Sequence, residues 1–190
     1  MPIGKITRNN MSHETQVKSN EWYTPEYIFK AIDTTFDLDV ASPIKRDYCF
    51  VPTQNFITQN SLDQNWIGFV WMNPPFVNQK TKYLWIEKFI NHKNGIALMP
   101  DRTSAPWWQY FAKNADAILF VDGKIKFIKP DGSKGESPGN GTTLFAIGAK
   151  GIQCLKTAEI NGLGIFYECN AKKSEEKKAL RGNCKCARFV

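Results

Sequence analysis

The chain has 190 residues, 42% of them hydrophobic and 23% charged, with a net charge of +7; that suits one domain with its own core rather than two full-size ones. No run of about 18 apolar residues occurs and Met1 to Asn20 lacks an apolar h-region, so neither a membrane-spanning helix nor a secretory signal is expected. The 25 aromatic residues exclude disorder throughout, and the five cysteines, an odd number, are expected to be reduced thiols in a cytoplasmic compartment.

Met1 to Asn20 has no apolar periodicity and is expected to be a flexible N-terminal segment, followed by one domain over 21–170 and a basic tail over 171–190. Thr24-Pro25 opens a helix, with Thr24 as the capping residue and Pro25 at the first helical position. Ile28, Ile32 and Phe36 give that helix one apolar face. Phe36 to Ala41 reads as a short strand, and residues 43–65 as an irregular stretch. The apolar run Ile67 to Met72 predicts a strand buried on both faces, ended by Asn73-Pro74-Pro75-Phe76, where two prolines force the chain out of the sheet. Tyr83, Leu84, Phe89 and Ile90 mark a helix stopped at Asn94-Gly95. Ile96 to Pro100 is a buried strand. Ser104 then caps a helix through Trp107, Trp108, Tyr110 and Phe111. Ala117 to Val121 is a further strand, Ile125 and Phe127 alternate with lysines as half-exposed β-structure, 129–142 is a Gly-rich loop, and Thr143 to Ile147 is one more strand.

Buried strands alternating with amphipathic helices predict an α/β fold with a mostly parallel sheet. In such sheets the ligand site lies beyond the carboxyl ends of the strands, where Asp39 and Asn73 are expected to face one crevice.

Asn73-Pro74-Pro75-Phe76 carries the sharpest chemistry. An exocyclic amine on a heteroaromatic ring is a poor nucleophile with two N–H donors. The Asn73 side-chain oxygen and the Pro74 carbonyl can accept both and aim the nitrogen lone pair at an electrophilic methyl group. Proline rigidity holds those acceptors in place, and Phe76 supplies a face on which a planar substrate stacks. Taken alone, the four residues read first as a turn after a strand. A buried strand before them, a helix after them and Glu21-Trp22-Tyr23-Thr24-Pro25 upstream favour the chemical reading.

Taken in order, Trp22-Tyr23-Thr24-Pro25, Leu38-Asp39-Val40-Ala41-Ser42 and Val70-Trp71-Met72-Asn73-Pro74-Pro75-Phe76 resemble the phage-type DNA N-6-adenine methyltransferases, the phage Dam family. Pro100-Asp101-Arg102-Thr103 with Trp107, and Gly123 to Phe127, add to the resemblance, which runs over about residues 20–148. It implies a Rossmann-like methyltransferase fold with helices on both faces of the sheet, S-adenosylmethionine as methyl donor, and a phage or prophage setting. Trp22, Tyr23, Thr24 and Pro25 match the aromatic-Thr-Pro segment of the donor site, and Asp39 matches its acid. Ala41, Ser42 and Asn60 fall beside them, and Asn73, Pro74, Pro75 and Phe76 match the catalytic loop. The partner implied is double-stranded DNA, with the target adenine flipped into the pocket. The chain departs from the family pattern at three places. Ala41-Ser42-Pro43 stands where a Gly-x-Gly turn is usual, Asn60 where an Asp is common, and Phe76 where Tyr is commoner.

Arg102 and Thr103 follow a strand on the expected site edge and are candidates for substrate or phosphate contact. Of Trp107 and Trp108, one is expected in the core and the other on nucleic acid. Lys124 and Lys126, on one face of an extended segment, with Lys129 and Lys134 nearby, are candidates for DNA phosphate. The tail holds seven Lys and Arg against two Glu, so +5 of the +7 lies in residues 171–190. No metal is implied: Cys184-Lys185-Cys186 lacks the two-residue gap of a zinc site with Cys154 and Cys169. Two other readings stay open, a methyltransferase acting on an RNA base or a glutamine amide, and a non-catalytic nucleic-acid-binding protein on a methyltransferase scaffold.

Overall fold

The computed structural model describes residues 22–75 and 78–169. The N-terminal segment 1–20, the tail 171–190 with Cys184 and Cys186, and Phe76 lie outside the described residues.

Helix α1 is Glu26–Ile32, and its buried face is Ile28, Phe29, Ala31 and Ile32. Thr24 does not cap it. Pro25 is itself the N-cap residue, with φ −64° and ψ 150°, and no side chain caps the helix; the Thr24 hydroxyl is engaged by Asn73 instead. Strand β1 is only Leu38–Asp39, shorter than the apolar run around it. A single 3-10 turn, Ser61–Asp63, is the regular element within the irregular stretch 43–65.

Strand β2 is Val70–Met72 and does not reach back to Ile67. Ile67 is 64% exposed. Gly68 has φ +66°, and a Cβ there would lie 2.4 Å from the Asp37 carboxylate. That carboxylate accepts the Phe69 N–H at 2.6 Å, so the chain turns against Asp37 before it enters the sheet. Helix α2 is Gln79–His92, and Asn78 accepts the Thr81 N–H as its cap. Its stop is Lys93, in the left-handed region at φ +64°, rather than Asn94-Gly95. Gly95 opens strand β3, Gly95–Pro100, where a Cβ would lie 2.6 Å from the Val70 carbonyl oxygen. The glycine therefore serves strand packing, not helix termination. Helix α3 is Pro106–Asn114 with Ala105 at its N-cap, so Ser104 does not cap it either; Pro106 at the first helical position fixes the start.

Strand β4 is Ala117–Val121 and strand β5 is Thr142–Ile147. Between them, 124–127 forms no strand. The alternation is real, with Lys124 and Lys126 exposed and Ile125 fully buried, but the pairing is limited to bridges from Ile128 to Tyr23 and to Lys134. The sequence pattern assigns no element to residues 149–168; the structure places helix α4, Ala149–Ile160, and strand β6, Gly164–Glu168, there.

The six strands are ordered β1-β2-β3-β5-β4-β6. β1 with β2 and β2 with β3 are parallel, whereas β3–β5, β4–β5 and β4–β6 are antiparallel. The expected mostly parallel sheet is thus not what forms. Burial on both faces, which suggested it, holds for any central strand whatever its direction. All six residues of antiparallel β5 are buried.

Alternate residues of the strands feed two cores. Ile96 and Leu98 of β3, Leu119 of β4 and Leu144 of β5 pack with α1 and α4 on one face. Ala97, Met99, Ile118 and Phe145 pack with α2 and α3 on the other. The period-two split places helices on both faces. Phe145 stacks on Phe111 at 4.2 Å between centroids and meets Trp108 edge-on at 5.4 Å. The parallel half of the sheet carries Asp39, Asn73 and Asp101 at the carboxyl ends of β1, β2 and β3.

Candidate active site

The segment Trp22-Tyr23-Thr24 is fixed from two sides. The Tyr23 N–H donates to the Ile128 carbonyl, and the Ile128 N–H donates back, both at 2.9 Å. The loop that carries Ile128 folds on itself, with Gly135 N–H on Phe127 O at 2.7 Å and Lys129 N–H on Ser133 O at 2.8 Å. The Trp22 ring lies on Gly135, where a Cβ would come within 2.7 Å of it. The Tyr48 ring lies likewise on Gly132.

On its other side the segment holds Asn73. The Asn73 Nδ2 donates to the Trp22 carbonyl and to the Thr24 hydroxyl, each at 3.2 Å. A carbonyl can only accept, so the contact with Trp22 O fixes which end of the amide is nitrogen. The Oδ1 of Asn73 is then turned the other way. It is buried and has no hydrogen-bond partner among the described residues. A buried acceptor left unmet costs about 1–3 kcal/mol, which makes this oxygen a candidate acceptor for a donor from outside the chain. Pro74 is buried and Pro75 exposed.

Asn73, Pro74 and Pro75 form one wall of a pocket of about 310 Å³. Trp22, Tyr23 and Thr24 form a second wall, and Asp39, Ala41, Ser42 and Asn60 further parts of it. All of these are residues expected at the site. Pro25 is not in the lining; it starts α1. Sequence reasoning missed Cys49, Phe50, Val51 and Ile57, which line the pocket from the irregular stretch where no periodicity marks them, and Trp71 and Trp85, which look like core and are also its floor.

Asp39 is 2% exposed. The Ala41 N–H donates to its Oδ1 at 3.2 Å, the Cys49 thiol to its Oδ2 at 3.9 Å, and the Arg46 guanidinium lies 3.6 Å from Oδ2. Arg46 also donates to the Ser42 hydroxyl and sits 4.0 Å over the Phe56 ring. Burial pushes the Asp39 carboxyl up to about 6, against the opposing pull of the Ala41 N–H, Ser42 and Arg46. Burial also raises the Cys49 thiol. Arg46 is a further site residue without a sequence signal.

Two of the three departures from the family pattern, at 41–43 and at Asn60, lie among the described residues. After β1 the Ser42 N–H donates to Ile57 O at 3.0 Å. Asn60 has φ +51°, a left-handed conformation that asparagine tolerates better than most residues. The turn behind it is held by Lys88, whose ammonium donates to the carbonyls of Ser61 at 3.0 Å, Leu62 at 2.7 Å and Gln64. The indole N–H of Trp66 donates to the Ser61 carbonyl at 3.1 Å.

A second pocket, of about 580 Å³, lies against the other side of the Trp22 segment. Leu98, Pro100, Phe127 and Thr142 line it, with Lys82, Arg102 and Glu136. Arg102, a candidate for substrate contact, lines this pocket and not the first. Thr103 is exposed and outside both pockets, its carbonyl accepting from Gln109 Nε2 at 2.6 Å. Trp107 and Trp108 are both buried, so neither presents a face to nucleic acid; Trp107 instead lies under the Lys82 ammonium, 4.5 Å from its ring centroid. Lys124 and Lys126 are exposed and line neither pocket. Cys154 belongs to one core and Cys169 packs against the other, on opposite faces of the sheet, so they do not share a site. Among the described residues, no group of three His, Cys, Asp or Glu could hold a metal ion, and no helix is long and apolar enough to cross a membrane.

Comparison with curated proteins and with solved structures gives no match. A family model described as DNA N-6-adenine-methyltransferase (Dam) matches residues 11–158, well over half of the chain, and spans every element of the pocket. With a pre-oriented Asn-Pro-Pro loop at the end of β2 and an acid at the end of β1, the chain belongs to the DNA N-6-adenine-methyltransferase (Dam) family.

Proposed function

We propose that this chain transfers a methyl group from S-adenosylmethionine to the exocyclic amine of adenine in double-stranded DNA, in the cytoplasm, and that residues 21–170 are its methyltransferase domain. The observation that carries this reading is the unmet Oδ1 of Asn73, held by the two hydrogen bonds from its own amide nitrogen. We read the sheet, with its site at the ends of β1 and β2, as a variant of the Rossmann-like methyltransferase fold.

The pocket suits the donor's chemistry. The donor carries cationic groups and a flat purine; the pocket offers a buried carboxylate, Asp39, and the apolar faces of Trp71, Trp85 and Ile57. Trp22, Tyr23, Thr24, Ala41, Ser42 and Asn60 complete the binding surface, and Pro25 fixes the segment to α1. When bound, S-adenosylmethionine supplies a methyl group already activated on a sulfonium, so the chain has only to place and desolvate the acceptor. Asn73 Oδ1 accepts one N–H of the adenine amine and the Pro74 carbonyl the other. Phe76 supplies the stacking face. The proton shed by the methylated amine leaves past Asn73 Oδ1 toward solvent. Arg102, Thr103, Lys124 and Lys126 contact DNA.

The test is methyl transfer from labelled S-adenosylmethionine to unmethylated duplex DNA, read as labelled adenine. Donor binding without labelled DNA would move the acceptor to an RNA base or a glutamine amide. No donor binding at all would leave a non-catalytic scaffold.

The raised Asp39 carboxyl predicts a pH dependence. Above about pH 6 the group is ionised and favours a cationic donor; below it the group is protonated and the attraction is lost. Donor affinity is expected to be flat above neutral pH and to weaken by up to about tenfold per unit below the midpoint. Equilibrium dialysis between pH 5 and pH 8 (roughly the window the shift defines) reads this, and Asp39→Asn should remove the slope. An unchanged slope in Asp39→Asn would assign the titration elsewhere.

A further inference from the structure

The second pocket has a charge pattern that the fold itself does not use. Lys82, from the second turn of α2, and Arg102, just beyond the carboxyl end of β3, both line it. The Lys82 ammonium is held 4.5 Å over the face of buried Trp107, which fixes where its charge stands. Arg102 is near enough that its charge, after burial, lowers the Lys82 proton affinity. Glu136 lines the same pocket and Asp101 precedes Arg102 in the chain. Among the described residues, neither acid forms an ion pair with either cation; the three ion pairs there lie elsewhere. Two cations lining one pocket, neither in an ion pair among the described residues, raise the local potential for an anion that arrives with a ligand.

The rest of the pocket says what the anion is attached to. Its walls include the aromatic Trp22 and Phe127 and the aliphatic Leu98 and Pro100. Flat apolar surfaces beside a cation pair suit a nucleotide unit, with its base on the rings and its phosphate on the cations. Trp22 also lines the donor pocket, and its carbonyl anchors Asn73, so a nucleotide seated here lies beside the reactive loop.

We propose that Lys82 and Arg102 form a clamp for a backbone phosphate of the DNA strand entering this second pocket. Arg102 offers a planar fork of donors and Lys82 a point charge oriented by Trp107. The proposal rests on the reading of DNA as the substrate, and it brings in Lys82, which nothing in the local sequence pattern singled out.

The experiment measures affinity of the full chain for a short unmethylated duplex across a salt series. Each phosphate contact contributes about 0.9 to the slope of log affinity against log salt. In Lys82→Met/Arg102→Gln the slope should become shallower by about 0.9, the loss of one phosphate contact, with duplex affinity at low salt down by about 10–100-fold. Donor affinity and thermal midpoint should stay at wild-type values, which separates a lost contact from a damaged fold. Arg102→Lys, which keeps the charge, should keep the slope, and Lys30→Met, a charge removed from the exposed face of α1, should leave the slope unchanged. A double variant with wild-type slope and affinity overturns the clamp while leaving the methyltransferase reading intact. A wild type that binds the donor but not the duplex overturns both.

Discussion

Asn73→Ala is expected to lower the rate of methyl transfer to DNA by about 10²–10³-fold, the scale on which removal of one pre-aimed polar group acts in other active sites. Donor affinity should change little, because the Asn73 side chain supplies the acceptor and the rest of the wall remains. The loss is large because the Oδ1 is fixed before any ligand arrives: the amide nitrogen is spent on Trp22 O and Thr24 Oγ1. An unpositioned acceptor would have to be ordered during the reaction. Thr24→Val removes one of these two anchors and leaves the other, so it should lower the rate by about tenfold, the value of one ordinary hydrogen bond. Single-turnover transfer of labelled methyl, with calorimetry for the donor, separates the two effects. If Asn73→Ala keeps its rate within a few-fold of wild type, Asn73 is a turn residue and the acceptor lies elsewhere.

Phe145→Ala should be the most damaging single core truncation, at about 3–5 kcal/mol. Phe145 sits fully buried in β5, between β3 and β4, and its ring meets Phe111 of α3 and Trp108 at once. Its removal leaves a cavity among rigid rings that relax poorly. For a chain of this size each kcal/mol lowers the thermal midpoint by about 2–4 °C, so a fall of roughly 6–20 °C is expected by calorimetry. Phe145→Leu keeps most of the volume and should cost less than half as much. A fall of only a degree or two in Phe145→Ala would mean that the face of the sheet under α3 is loosely packed.

Much of this was legible from residue order. Ile96 to Pro100, Ala117 to Val121 and Thr143 to Ile147 are short apolar runs between turn residues, and each is a strand in the structure. Asn73 and Asp39 came together because both end parallel strands next to each other, which buried-run patterns do predict. Strand direction was not legible, since Thr142–Ile147 is buried at every residue whichever way it runs. Helix α4 escaped notice because its buried stripe, Gly151, Cys154, Leu155 and Ala158, is built mostly of small residues, and its most apolar end residue, Ile160, is 82% exposed. The caps were misjudged at Thr24 because a hydroxyl next to a proline has more than one possible partner, and a residue 49 positions away took it. Arg46 and Lys82 act through contacts made across the fold, with no local spacing to announce them.

The strand order has a consequence for biosynthesis. β3 is flanked on one side by β2, already synthesised, and on the other by β5, whose register joins Gly95 to Ile147 and Pro100 to Thr142. While the ribosome is still adding residues 101–141, β3 has its second edge open, with Ile96, Leu98 and Met99 still lacking their final cover. An open, apolar strand edge is a template for pairing with another chain. Translation that stalls or stops short of Ile147 therefore leaves a sticky half-sheet, whereas a product that passes it can close β3 with β5 and seat β4 on the far edge of β5.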